Sequence, residues 1–435
     1  MRNRISAVVC AFLLFLVMTA CATAPVPDEP EPTTTPMPSP TAQGSPTPIP
    51  TIEATSQGPE NITLWLPDVL FSASGSADEA TNLLSEQIAA FTESSDGISI
   101  EIRRKQVREA GGIMPTLRSA KSVAPGVLPD LTLIRREDLI TAVQEDLIEP
   151  MEGVVSTAVV GELFDTALDM GQVDGALYGL PYALEVQHVI YQGELDVPSV
   201  TSLDRFLADE KPFLFPAARA TGLNAVTLTQ YTEAAPRPVT DGALTVDEAT
   251  LLELFQYYEA AAAAGLIQPE VVNFARPTDY RALLTSDDFG SAVVSSGLYL
   301  QLTEEDVSFT VSSIPTLSGQ PASTLDGWMW VMTTTNPNRQ ALVGEFIAFM
   351  MDADRQGAYV SSLDLLPSQR TALRQWYDAD YVDFLLMLMP NAVAGSAEAA
   401  ASTAARAIQN SLLLVISGER SAEGATQDVL NQLDN

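Results

Sequence analysis

The sequence predicts an α/β protein built on a largely parallel sheet. Three observations carry the prediction: apolar residues alternate along short stretches such as Ile62, Leu64 and Leu66, helical spacing follows, and the strand–helix pair recurs three times between residues 60 and 150. Alternation of this kind builds parallel sheets with helices laid on their faces. The 435-residue chain is long enough for two lobes with separate cores.

The elements follow in order. NITLWLP, at 61–67, is the first strand, and Leu84, Ile88 and Phe91 at i, i+4, i+7 mark a helix that Gly97 closes. ISIEIRR, at 98–104, sets Ile98, Ile100 and Ile102 on one face of a second strand. A second helix carries MPTLRSA, and PDLTLI at 129–134 is a third strand, entered through Pro129 and Asp130. Ile140, Val143 and Leu147 mark the helix after it. Downstream, TVDE at 245–248 has the pattern of a capping box, with Thr245 accepting from the Glu248 N–H and Glu248 reaching back. That helix buries Leu251, Leu254, Phe255 and Tyr258 and stops at Gly265. Asn336-Pro337 opens another, with Leu342, Phe346 and Phe349 on one side; proline suits a first helical position, where its missing N–H has no intrahelical partner. The last strong helix holds Ile408, Leu412 and Val415, and no internal repeat is visible.

Ahead of the first strand lies a different kind of sequence. Arg2 and Arg4 precede the apolar run Ala7–Met18, which ends in small residues, the layout of an export signal. A bilayer-spanning helix needs about 20 apolar residues, so this run is too short for a permanent anchor. Met18-Thr19-Ala20-Cys21 resembles the lipobox of bacterial lipoproteins, although Met18 stands where leucine is usual. The resemblance implies that residues 1–20 are removed and that Cys21 is lipidated; the alternative is an ordinary secretory signal cut near Ala24. Ten of the 29 prolines lie between Pro25 and Pro50, interleaved with Thr and Ser, so residues 21–59 are expected to be a disordered tether. In polyproline II conformation, at about 3.1 Å per residue, it reaches about 120 Å.

Composition excludes several functions. A net charge of −34 repels nucleic acid and anionic lipid headgroups alike. Two cysteines, Cys10 and Cys21, make neither a disulfide scaffold nor a CxxC site. There is no nucleophile elbow, phosphate loop or dinucleotide fingerprint. His188 is the only histidine, in the strand-like EVQHVIY, so a two-histidine metal site is impossible and a structural role is expected for it. The 56 carboxylates always leave room for a glycosidase pair, but no spacing singles one out. Neither catalysis nor a cofactor or metal is expected.

Three stretches resemble the extracellular solute-binding proteins of bacterial ABC importers, the family that includes maltose-binding protein. GVLPDLTLIRREDLITAVQEDLIEPME, at 126–152, resembles the family's strand, loop and helix; DGALYGLPYALEVQHVIYQ, at 174–192, its first crossing between lobes; SIPTLSGQPASTLDGWMWVMTTTNPNRQALVGEFIAFM, at 313–350, its second. A weaker echo covers SLLLVISGERSAEGATQDVLNQL at the C-terminus. The resemblance implies a two-lobed periplasmic-binding-protein-like fold of type II with a ligand cleft between lobes. It assigns 60–181 plus 317–350 to an N-terminal lobe and 186–312 plus 351–435 to a C-terminal one. It further implies a monomer, lipid-anchored on the extracytoplasmic face of the membrane, which captures a solute, with carbohydrate as the leading class, and delivers it to a permease. A sensor on the same fold, a surface glycosidase and an adhesin are the alternatives.

A sugar site needs aromatic platforms and planar hydrogen-bonding groups. Glu185 matches a cleft-facing family position, and Tyr182 stands three residues before it. Arg135 and Arg136 follow the DLTLI strand at the end where open α/β sheets bind ligands, with one expected on ligand and one in solvent. Trp65 and Asp68 end the first strand, where Trp65 is equally suited to the core. Trp328 and Trp330 share one face of DGWMWVMT, with Met329 and Val331 opposite; that face is either cleft wall or packed beneath helices. Tyr231 and Tyr299 are the second lobe's candidates, and Trp376 and Tyr377 weaker ones. Two departures from the maltose-binding pattern weigh against a maltodextrin: Leu298 in SGLYL, and Ala405 with Arg406 in AARAIQ, stand where relatives place aromatics.

Overall fold

The computed structural model describes residues 60–71, 77–95, 97–108, 111–192, 202, 203, 207, 212–219, 221–240, 242–286, 289–305, 308–376 and 378–434. The export signal, Cys21, the tether and Tyr377 lie outside the described residues. Strand Glu60–Pro67 pairs in parallel with Ile98–Lys105 on one side and Leu131–Arg135 on the other. Its alternation is the expected one: Ile62, Leu64 and Leu66 enter one apolar core and Trp65 the core on the opposite face. Helices Ala77–Ser94, Ile113–Val123 and Arg136–Gln144 alternate with these strands. The last of them buries Leu139 and Ala142, one position out of phase with the expected Ile140 and Val143. No residue separates it from the preceding strand, so the direction in which that strand ends sets which stripe faces inward.

Two longer strands carry the sheet onward. Ser323–Met332 runs antiparallel to Leu131–Arg135, and Gly179–Gln192 runs antiparallel to Ser323–Met332. Beyond them lie Ser291–Ser295, antiparallel to Gly179–Gln192, and then Phe213–Leu214, parallel to Ser291–Ser295. The sheet is therefore mixed, not largely parallel, because its middle strands carry the chain across in opposite directions. Gly179–Gln192 is 14 residues long. Gly179 to Val186 pair with Ser323–Met332, while Gln187 to Gln192 pair with Ser291–Ser295 and Phe309–Ser312. One strand thus serves both lobes.

Among the described residues, three apolar cores pack on this sheet. The first lobe's contains Ile62, Phe91, Leu133, Trp330 and Phe346. The second lobe's contains Phe213, Phe255, Tyr258 and Ile408. A third, with Met114, Leu184, Met329 and Tyr381, covers the opposite face and runs through both.

Helix Glu248–Ala263 buries Leu251, Leu254, Phe255 and Tyr258 as expected, and Gly265 turns the chain after it at φ 76°. Its cap is Asp247, not Thr245: the Asp247 carboxylate accepts from the Thr250 N–H at 2.9 Å and the Thr250 hydroxyl at 2.7 Å. A charged acceptor taking two donors outcompetes a hydroxyl. Asn336 caps Pro337–Met350, whose buried stripe is Val343, Phe346, Ile347 and Met350, with Leu342 and Phe349 half-buried. Thr403–Ile416 holds the expected Ile408, Leu412 and Val415, and a further helix, Ala422–Leu433, follows. Helix Ala353–Ser361, expected in the second lobe, packs on the first: Tyr359 and Val360 join its core. The Gln356 amide donates to the Tyr182 carbonyl at 2.9 Å and the Ser368 hydroxyl at 2.8 Å, which ties this helix to the first crossing.

Candidate functional site

The site follows from the two-residue period of the crossing strands. Along Gly179–Gln192 the odd positions read Ala183 in the first lobe's core, Glu185 and Gln187 beside a cavity, then Val189 and Tyr191 in the second lobe's core. Even positions Leu184, Val186 and Ile190 enter the continuous core on the other face. Ser323–Met332 repeats the arrangement, with Trp330 and Trp328 in the first core and Asp326 and Thr324 beside the cavity. Glu185 and Asp326 are register partners. Two neighbouring strands therefore present four polar side chains in the gap between two cores.

That gap is a cavity of about 780 Å³, within the range that holds small solutes. Arg136 and Glu137, at the start of the helix after Leu131–Arg135, come from the first lobe; Arg219, Thr229 and Glu233 come from the second. An aliphatic wall of Leu228, Pro238, Val239 and Val393 completes it, with no aromatic side chain among the described lining residues. Gly297 brings the helix Ser296–Glu304 against the floor. A Cβ there would meet the Asp364 carbonyl at 2.9 Å and Glu185 Oε1 at 3.3 Å.

The ten candidate residues separate cleanly. Glu185 and Arg136 line the cavity. Arg135 stands beside it, its guanidinium paired with Asp326 and lying over the Trp328 ring at 5.3 Å. Trp328 is 5% exposed and belongs to the first lobe's core, as does Trp330, which packs on Tyr182 at 5.2 Å and on Phe346 at 6.0 Å. The face they share is thus packed beneath helices. Tyr182 is buried there because a bulge between Trp328 and Met329 turns it to the same side as Ala183. Trp65 is buried in the continuous core, and Asp68 is exposed away from the cavity. Tyr231 is fully buried; its hydroxyl donates to the Thr245 carbonyl and accepts from the Asp247 N–H, pinning the start of Glu248–Ala263. Tyr299 packs against His188 and Tyr381 on the face away from the floor. Tyr182, Tyr231, Tyr299, Trp65, Trp328 and Trp330 accordingly stand in cores: Trp65, Trp328 and Trp330 alternate onto covered strand faces, the bulge turns Tyr182 inward, and Tyr231 and Tyr299 lie on the buried sides of helices. Half-buried Trp376 packs on the continuous core, as do Leu298 and Tyr299, and Ala405 lies in the second lobe's core.

Sequence reasoning missed Gln187, Thr324, Asp326, Arg219 and Glu233. The first three carried a readable signal, since Gln187 lies two residues after Glu185, and Asp326 and Thr324 two and four before Trp328. Arg219 and Glu233 arrive from loop and helix positions with no local signature.

Burial raises the Glu185 carboxyl above its ordinary pKa, opposed by the Arg135 charge and a hydrogen bond from Ser295. Burial also lowers Arg136 and Arg219. His188 is fully buried, its Nε2 3.0 Å from the Tyr381 hydroxyl, and burial depresses its pKa to about 4. It is a neutral core residue.

A two-lobed α/β molecule with a solute-sized cavity floored by its crossing strands defines the class of cleft receptors. The chain belongs to the bacterial extracellular solute-binding proteins, whose family model matches residues 86–382. A Brucella abortus (strain 2308) protein that bears a binding-protein name is 22% identical over 289 residues, 61% of this chain and 69% of its own. Among solved structures, a cyclic α-maltosyl-1,6-maltose binding protein from Arthrobacter globiformis is similar at TM-score 0.67 and 15% identity, covering 87% of this chain and 98% of that one. A family 1 solute-binding protein from Alicyclobacillus acidocaldarius gives 0.66 and 15%, covering 87% and 99%. A Thermotoga lettingae ABC transporter solute-binding protein bound with α-D-tagatose gives 0.61 and 17%, covering 86% and 99%. Among the described residues no helix is long and apolar enough to cross a membrane.

Proposed function

We propose that this solute-binding protein captures a carbohydrate between its lobes and delivers it to an ABC permease, held to the membrane by a lipid on Cys21. The observation that carries the reading is the cavity, in which hydroxyl-binding groups from both lobes converge over a floor that the lobes share. A solute bridging the walls stabilises the closed state by its higher affinity for it, and the permease reads closure. Sugar ligands in the names of structural neighbours support the class. The molecule acts as a monomer, with residues 351–363 counted in the first lobe. Small-angle scattering during sugar titration tests this: binding that compacts the molecule supports it, and binding without compaction overturns it. Mass spectrometry of the membrane fraction tests the anchor, which predicts a diacylglyceryl adduct on Cys21 and none after Cys21→Ser.

A further inference from the structure

We propose that the solute is an acidic carbohydrate, one bearing a carboxylate, and that Arg136 is the residue that selects it. The inference rests on the carbohydrate reading above. Three guanidiniums stand at the cleft, and two are satisfied. Arg135 pairs with Asp326, and Arg219 donates to the Thr221 and Leu223 carbonyls at 2.9 Å each. Arg136 lines the cavity with its Nε and Nη1 buried and without hydrogen-bond partners among the described residues. A guanidinium cannot shed its proton, so this charge stays in place and uncompensated until something enters.

The cavity's carboxylates do not compensate it. Glu137 pairs with Arg108, Asp326 with Arg135, and Glu185 takes a hydrogen bond from Ser295. From the second lobe, Glu233 accepts from the Ser318 hydroxyl with one oxygen, while its Oε2 is buried and unpartnered. The ligand must therefore supply an anion to one side and hydroxyl donors to the other. A sugar carboxylate forms parallel N–H···O bonds to a guanidinium, its ring hydroxyls donate to Glu233, and its C–H face lies on the aliphatic wall. The lack of an aromatic platform among the described lining residues points the same way, since affinity that stacking does not provide must come from charge and hydrogen bonds.

The test is calorimetry on the full chain with galacturonate, glucuronate and digalacturonate against galactose, glucose and maltose. At least one uronate should bind about 10-fold or more tighter than its neutral counterpart. Arg136→Gln should weaken that uronate about 30-fold or more, leave neutral sugars within about 3-fold, and Arg136→Lys should fall between. The ligand-free Arg136→Gln protein should melt no lower than wild type, because the substitution removes a half-buried charge whose Nε and Nη1 have no partner among the described residues. A lower melting temperature overturns the proposal by revealing a partner for Arg136. Neutral sugars binding as tightly as uronates, whatever occupies position 136, overturns it and leaves the carbohydrate reading standing. Amino acids binding while no sugar does overturns both.

Discussion

The crossing strands pass through two environments, and the contrast between them explains the site. Where Gly179–Gln192 and Ser323–Met332 run through the first lobe, one face carries Tyr182, Trp328 and Trp330 beneath helices. A few residues on, the same face carries Glu185, Gln187, Thr324 and Asp326 along a cavity. Apart from the bulge opposite Tyr182, the backbone is extended strand in both stretches. What changes is the cover, since the first lobe's helices end before the second lobe's begin. An aromatic residue on a crossing strand is therefore evidence about where the cover lies, and a polar residue in the same phase is evidence about where it stops.

Four experiments test this contrast, in order of decreasing consequence. Trp330→Ala, on the covered stretch, should cost about 3–5 kcal/mol in chemical denaturation, with the affinity of the folded fraction unchanged. A loss of affinity with little loss of stability would mean that Trp330 faces solute. The opposite face supplies the second test. His188 titrates near 4 in the folded protein instead of near 6.5, so the unfolded chain binds a proton that the native state refuses. Stability from this group is complete above pH 6.5 and falls as pH drops toward 4, by about 3 kcal/mol. Because it is the only histidine, its imidazole NMR signal reads the pKa directly. An ordinary value would open that face to water.

Third, Gln356→Ala removes the amide that joins Ala353–Ser361 to the Tyr182 carbonyl and should cost about 1–3 kcal/mol. Destabilisation below about 0.5 kcal/mol would detach that helix from the first lobe. Asp326→Asn, on the open stretch, should change the melting temperature least, since its pair with Arg135 is partly solvated, and should cost about 1 kcal/mol or less. Solute affinity should fall more than stability does. Equal losses would place Asp326 among structural residues.

Much of the fold was legible because it rests on local arithmetic. Ile62, Leu64 and Leu66 alternate into one core and Trp65 into the other, as a pleated strand requires, and Asn336-Pro337 opens a helix through groups within one turn. The misplacements involve competition between neighbours. Asp247 displaced Thr245 as a cap because its carboxylate takes two donors, and the direct junction of Leu131–Arg135 with the next helix shifted its buried stripe by one residue. The site divided in the same way. The candidates Glu185 and Arg136 line the cavity, whereas Trp65, Trp328 and Trp330, for which cleft and core were both open, lie in cores. A large apolar ring satisfies either location.

The sequence determined the strand–helix alternation and a structural place for His188, because side-chain period and burial preference act over a few residues, while the two crossings came from its resemblance to a family. The packing of distant segments decided that Tyr182 turns inward at a bulge, that Arg219 and Glu233 meet the floor from another lobe, and that Nε and Nη1 of Arg136 have no partner among the described residues. Those facts depend on which surfaces are covered and what stands across a gap, and no local pattern encodes contacts between segments far apart in the chain.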